Sequence, residues 1–463
     1  MNKRRRRRAR LRMLRITFLL SLTALLVSVC ALVLVQRRQN ARTPAEAPAG
    51  VSQLVSETQA GTATPGSVQG TVTLEPVENT PPPAPGELAG ADPDAPAEQR
   101  TVTSALPDEL RQSAEKAGLT DERIGQIRAE NTGNYYYDSL AEDEQILYAE
   151  LYHIMTTLTT DVYVSAKDAD RMEKVQNCVM NDHPEIFYIS GYYTTRYTLG
   201  EETVGFSFTG RYLYDAAEIE RRKALIESYI SACVSGIDPY ADDYAKVRYV
   251  YDYVITRTSY NLSANDNQNI CSVMIGGESV CQGYAKAAQM LLNRLGVKTT
   301  LVTGTVQTEN MNGPHAWNLV FADGNWYYLD VTWGDASFRN GDNVSEGINY
   351  DYLLTTTADI SRTHTIGSVA PMPVCDHIDD NYYVREGAYF TEPSLNAFED
   401  LVARRRAEGS PIATFKCANE DVYNQMMAEL IDNSRIFDYI YKAPGESLSF
   451  TRSPSNLSFT VWF

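Results

Sequence analysis

Ser279-Val280-Cys281-Gln282-Gly283-Tyr284-Ala285 is the stretch on which the reading of this chain turns. Ala288, Leu291, Leu292 and Leu295 follow at helical spacing, and Gly296 supplies a stop signal. The pattern predicts a helix that starts at Cys281 and runs to Leu295. Gly276-Gly277 just upstream lets the backbone turn tightly into that start. A thiol in a first helical turn faces unsatisfied N–H groups and the positive end of the helix dipole, and both favour an anion. The thiolate is the nucleophilic form of cysteine. The helix start alone also suits a buried cysteine that packs as a small apolar group.

Two further stretches bear on that choice. Gly313-Pro314-His315-Ala316-Trp317-Asn318 and Trp326-Tyr327-Tyr328-Leu329-Asp330-Val331-Thr332-Trp333 flank Asp323-Gly324, among the strongest short signals for a two-residue hairpin turn. With that turn Ala322 opposes Asn325, His315 faces Thr332, and Trp317 faces Asp330. His315 and Asp330 become diagonal neighbours on one sheet face, roughly 7 Å apart or less. A turn one residue longer would put them on opposite faces. A carboxylate in an aromatic strand needs a partner. Beside a histidine it would fix the tautomer and stabilise the imidazolium, which in turn lowers the thiol pKa.

The run GESVCQGYA at 277–285, with HAWN at 315–318 and DGNWYYLDVTW at 323–333, closely resembles the transglutaminase-like superfamily, over about residues 240–360. The resemblance implies a papain-like α/β core with Cys281 as nucleophile, His315 as general base and then acid, and Asp330 as orienter. Asp182-His183-Pro184-Glu185-Ile186-Phe187 and Tyr350–Leu354 resemble pieces of bacterial exported members. Two family features are missing. No tryptophan precedes Trp317 to serve as the oxyanion donor of animal transglutaminases, and apolar or glycine residues stand where papain-like proteases carry a glutamine. The oxyanion is left to the backbone N–H of Cys281 and a second donor, for which Tyr260 and Gln268 are candidates. Gln282, Gly283 and Tyr284 are expected around the thiol, and Trp317 and Trp333 as walls of the site. His364 and His377 read as residues of polar loops. The cysteines show no zinc spacing and the acidic residues no calcium-loop spacing, so no metal or cofactor is expected.

The chain has 463 residues, too many for one domain to account for easily. The fold class expected is α+β: a papain-like/transglutaminase-like catalytic core at 237–380, an N-terminal α+β domain at 105–236, and a small C-terminal α/β domain at 381–463. In the N-terminal domain, Ser139 with Glu142 reads as a capping box, Ser165 as a second helix cap, and Ile186–Ile189 as a strand. A basic tail at 1–15 precedes a transmembrane helix at 16–35, whose twenty uncharged residues would span roughly 30 Å. A Pro/Ala-rich linker at 36–104 is expected to be disordered.

Residues 1–38 hold 11 Lys/Arg and no acid, which leaves 30 basic residues against 59 acidic ones in the rest. That asymmetry predicts a cytoplasmic N-terminus, a single-pass anchor and an extracellular body, and it disfavours nucleic-acid binding by the body. The expected function is thiol-dependent acyl transfer on peptide or protein amides through a thioester, as a hydrolase of cell-wall peptides or surface proteins. The alternatives are a protein cross-linking acyltransferase and a non-catalytic surface scaffold. The sequence carries no signal for oligomeric state.

Overall fold

Asp323 and Gly324 both adopt positive φ, 46° and 90°, the backbone a two-residue type I′ turn demands. The computed structural model describes residues 73–76, 98–102, 107–199, 202–308, 312–335, 348–443 and 446–463, all within one compact unit, Gln69–Phe463. The elements that position the site are helices α1 (Asp243–Ile255) and α2 (Cys281–Arg294), and strands β1 (Thr299–Gln307), β2 (Asn312–Ala322), β3 (Asn325–Leu329) and β4 (His364–Ile366). The strands form one antiparallel sheet in the order β3-β2-β1-β4.

α1 starts on Asp242, whose side chain accepts from Ala245 N–H at 2.8 Å. Its Val247, Val250, Tyr251 and Val254 enter the same core as Ala288, Leu291 and Leu292 of α2. Each such Val or Leu side chain contributes roughly 1.5–3 kcal/mol on leaving water. Asn318 ties helix to sheet, its Nδ2 donating to Ala285 O at 3.0 Å and to Thr300 O at 3.3 Å. α2 ends one residue before the expected Leu295, which is its C-cap, and Gly296 follows at φ +82°.

The hairpin register is the expected one, with Ala322 opposite Asn325, but the ladder stops at Leu329 opposite Asn318. Asp330 is therefore not a mid-strand residue and Thr332 never faces His315. Asp330 instead caps a one-turn helix, Val331–Gly334, its Oδ1 accepting from Thr332 N–H at 2.9 Å and Trp333 N–H at 3.1 Å. An aspartate that can satisfy two orphan helix donors ends the strand at this point.

The flanking regions depart from expectation at their caps. The helix Glu142–Thr157 begins after Ala141, and Glu144 reaches back to Ala141 N–H at 3.2 Å. Ser139 donates to Tyr136 O at 2.6 Å, so the Ser139–Glu142 box does not form. Ser165 gives its N–H and O–H to the buried Glu150, and Asp168 caps the helix Ala169–Asp182 in its place. Ile186–Tyr188 packs as buried turn residues, and the strand starts at Ile189. Two stretches expected as structureless linker form strands: Thr73–Pro76 pairs with Ser447–Ser453, and Glu98–Val102 with Ile189–Leu199. Each binds a sheet edge, whose unpaired N–H and C=O groups order an added strand regardless of linker composition.

One apolar core runs from Ala114 to Val461 through all three expected regions. The C-terminal region is also bonded in through the buried Asp351, which accepts from Tyr383 O–H (2.9 Å), Asn456 Nδ2 (3.1 Å) and Ser458 O–H (2.8 Å). The six described cysteines are free and buried. Among the described residues no helix is long and apolar enough to cross a membrane. The tail expected at 1–15 and the span expected at 16–35 lie outside the described residues.

Candidate active site

Cys281 is the first residue of α2, and Val280 holds the N-cap with no side-chain capping bond. The pair Glu278–Ser279 delivers the chain to that start, running parallel to Ser259–Tyr260. The first turn then settles onto a hydroxyl pair, Ser272 Oγ and Ser279 Oγ at 2.6 Å. Gly283 makes that approach possible: a Cβ there would lie 2.0 Å from Ser279 Oγ and 2.6 Å from Ser272 Oγ. Tyr284 pins the same turn by donating its O–H to Asp335 Oδ2 at 2.8 Å.

Beneath the thiol the sheet brings Asp330 and two histidines together. His315 Nε2 lies 2.7 Å from Asp330 Oδ2, and His364 Nε2 lies 3.1 Å from the same oxygen. With the two backbone donors on Oδ1, the carboxylate carries four hydrogen bonds, the full capacity of a buried carboxylate. Nε2 of His315 is committed to Asp330, so Nδ1 is the nitrogen left to serve Cys281. The three side chains are almost fully excluded from water, at 2%, 1% and 0% exposure for His315, Asp330 and His364.

Such burial would ordinarily suppress charge. For His315 burial does act downward, but the Asp330 carboxylate, the neighbouring Cys281 and hydrogen bonds to both outweigh it and push the pKa up to about 10. Burial likewise opposes ionisation of Asp330, yet His315 and the hydrogen bonds from both imidazoles hold it well below the usual carboxylate range. His315 and Asp330 thus form an ion pair at neutral pH. Burial keeps His364 below the ordinary imidazole value despite its bond to Asp330.

Residues 232–331, which include Cys281, His315 and Asp330, match the family model of the Transglutaminase-like superfamily. The likeness to the transglutaminase-like superfamily rests on this part of the chain. The kyphoscoliosis peptidase of Mus musculus is 24% identical over 136 residues, 26% of this chain and 21% of that protein. The chain therefore spans about a fifth of the length of the curated relative it matches. Among solved structures, a TGase is 16% identical with a TM-score of 0.23, covering 35% of this chain and 48% of its own. A candidate cysteine protease from Cytophaga hutchinsonii is 18% identical with a TM-score of 0.21, covering 28% and 51%.

Within this transglutaminase-like core the remaining expected residues divide. Tyr260 stands on the strand paired to the nucleophile loop, opposite Ser279, and its phenol feels the charges of Cys281 and Asp330. Burial first, and those charges second, raise its pKa, so it stays a donor. Gln268 is half-buried and donates to Asn267 Oδ1 at 3.3 Å rather than joining the cluster. Gln282 is half-buried beside the thiol. Trp317 and Trp333 wall the imidazole of His315, with ring centroids 5.9 and 5.7 Å from it.

His364 corrects the sequence reading. It is no loop residue but lies buried on β4, in the register His364–Val306. Thr363-His364-Thr365-Ile366 carries no alternation of apolar and polar residues that would have marked it. Among the described residues, His315, Asp330 and His364 are also the group whose ligand atoms could hold a metal, all within 4.8 Å of one another. Their spacings of 2.7 and 3.1 Å are those of hydrogen bonds.

Proposed function

We propose that this protein is a cysteine-dependent amide hydrolase with Cys281 as nucleophile, His315 as base and then acid, and Asp330 as orienting carboxylate. The observation that carries the reading is a buried His315–Asp330 hydrogen bond of 2.7 Å, with His315 in reach of the Cys281 thiol at a helix start. The Cys281 thiolate adds to an amide carbonyl carbon, and the oxyanion is met by the Cys281 backbone N–H and the Tyr260 phenol. The C–N bond breaks as imidazolium gives its proton to the departing nitrogen, leaving a thioester. Neutral His315 then takes a proton from water, whose oxygen attacks the thioester and releases the acid and the thiolate.

Peptides or proteins at the cell surface, cell-wall peptides among them, are the proposed substrates. The support for that location is the basic 1–15 segment before the apolar 16–35 run. Intact mass of protein from a membrane fraction checks the anchor; a mature chain beginning after residue 40 overturns it.

The reaction is tested by incubating the protein with glutamine-containing peptides, with and without a primary amine. Ammonia or cleaved peptide without amine incorporation is expected. Amine incorporation would identify a cross-linking acyltransferase instead, and no turnover with an unreactive Cys281 would identify a scaffold. Tyr260→Phe is expected to lower kcat about 10²-fold with little change in KM, since the lost donor acts on the oxyanion. An unchanged kcat would remove Tyr260 from the oxyanion site.

A further inference from the structure

We infer that His364 is a fourth member of this site, a positioning residue that locks the Asp330 carboxylate in the one orientation from which it serves His315. The inference rests on the roles proposed for Cys281 and His315. A histidine buried only for packing would have no reason to aim a nitrogen at a carboxylate already engaged by another histidine. His364 Nε2 does so at 3.1 Å, while its Nδ1 is paired with Thr363 Oγ1 at 2.8 Å. Trp317, Trp333 and Tyr352 enclose its ring at centroid distances of 4.9, 4.6 and 5.8 Å. The ring is thus enclosed by three aromatic side chains while both of its nitrogens are bonded.

The need for such a lock follows from the proposed cycle. His315 alternates between imidazolium and imidazole, so its pull on Asp330 rises and falls in each turnover. Backbone N–H groups hold Oδ1 throughout. On Oδ2, His364 is the second imidazole partner, 3.1 Å away. The titratable groups that face it are Asp330 from the end of β3, His315 from β2 and the phenol of Tyr352. Edge strand β4 comes from outside the family-matched segment 232–331, so this part of the chain completes a cluster that the matched segment begins.

The test is the pH profile of Cys281 alkylation by iodoacetamide in full-length wild type, His364→Leu and His364→Gln. His364→Leu is expected to slow alkylation at pH 7 about tenfold. His364→Gln keeps an amide donor near the Nε2 position and should restore most of the rate. A folded His364→Leu with the wild-type profile overturns the inference. Slow alkylation of wild type itself would instead overturn the proposed function. Imidazole nitrogen NMR of the wild type reads the same claim without a variant, should His364→Leu not fold. His364 neutral and protonated at Nε2 from about pH 6 to 8 is expected; protonation at Nδ1, or titration at the ordinary value near 6.5, overturns it.

Discussion

Replacing Cys281 by alanine is expected to abolish turnover, by about 10⁶-fold in kcat, and to leave the fold intact. The two halves of that expectation come from different parts of the structure. Sγ is the atom that attacks the amide in the proposed mechanism, and no neighbouring side chain in its packing cluster can substitute: Ala285, Leu301 and Ala316 are all apolar. The same neighbours explain the tolerance, since alanine leaves an apolar surface in an apolar niche, at a cost of about 1 kcal/mol. His315→Ala should lose about as much activity, and the double variant hardly more, because the two groups act as a unit. The measurement is single-turnover cleavage of an activated peptide ester, with thermal melting as the control. A Cys281→Ala protein that retains cleavage within tenfold of wild type would move the nucleophile elsewhere.

How much of this site was readable beforehand depends on the range of the interaction. Cys281 at the helix start and the Asp323-Gly324 register are local properties, set by glycine, turn chemistry and alternation within a few residues. The His315–Asp330 contact followed from them even though the reason offered was partly wrong: Asp330 is reached as a helix cap, not as a ladder residue. A strand and an aspartate cap compete for the same backbone, and two charge-assisted bonds to Thr332 and Trp333 N–H decide for the cap. Ser165 lost its predicted cap for the opposite reason, because the buried Glu150 claims its N–H and O–H across 15 residues of sequence. His364 was missed because its meaning lies wholly in tertiary contact. Nothing within ten residues of it signals a carboxylate that belongs to position 330. The two strands within the linker were equally invisible, since their partners lie far along the chain.

Asp330→Asn carries the second large effect and separates charge from geometry. Asparagine keeps an oxygen for the Thr332 and Trp333 N–H groups, so the cap and the turn should persist. What is lost is the negative charge between two imidazoles. Burial then acts on His315 with less opposition, so its pKa falls from about 10 toward or below the ordinary value near 6.5. The alkaline limb of the kcat/KM profile should move down by the same amount, leaving a narrow window near neutrality, with about a 10³-fold loss in kcat. The stability signs can be stated as well. The depressed pKa of Asp330 contributes stability present above about pH 3.9, its unfolded value, and lost as pH falls through the folded one. The raised pKa of His315 contributes stability fully present below about 6.5 and lost as pH rises through about 10. Wild type should therefore gain most from the pair between about pH 4 and 6.5, and urea denaturation of Asp330→Asn across that range should show the gain removed. Asp330→Ala also uncaps the turn and leaves both histidines unpaired, and should cost about 3–5 kcal/mol. An alkaline limb that stays in place in Asp330→Asn would mean that the charge on His315 is set by some group other than Asp330, and the ion-pair mechanism would fail with it.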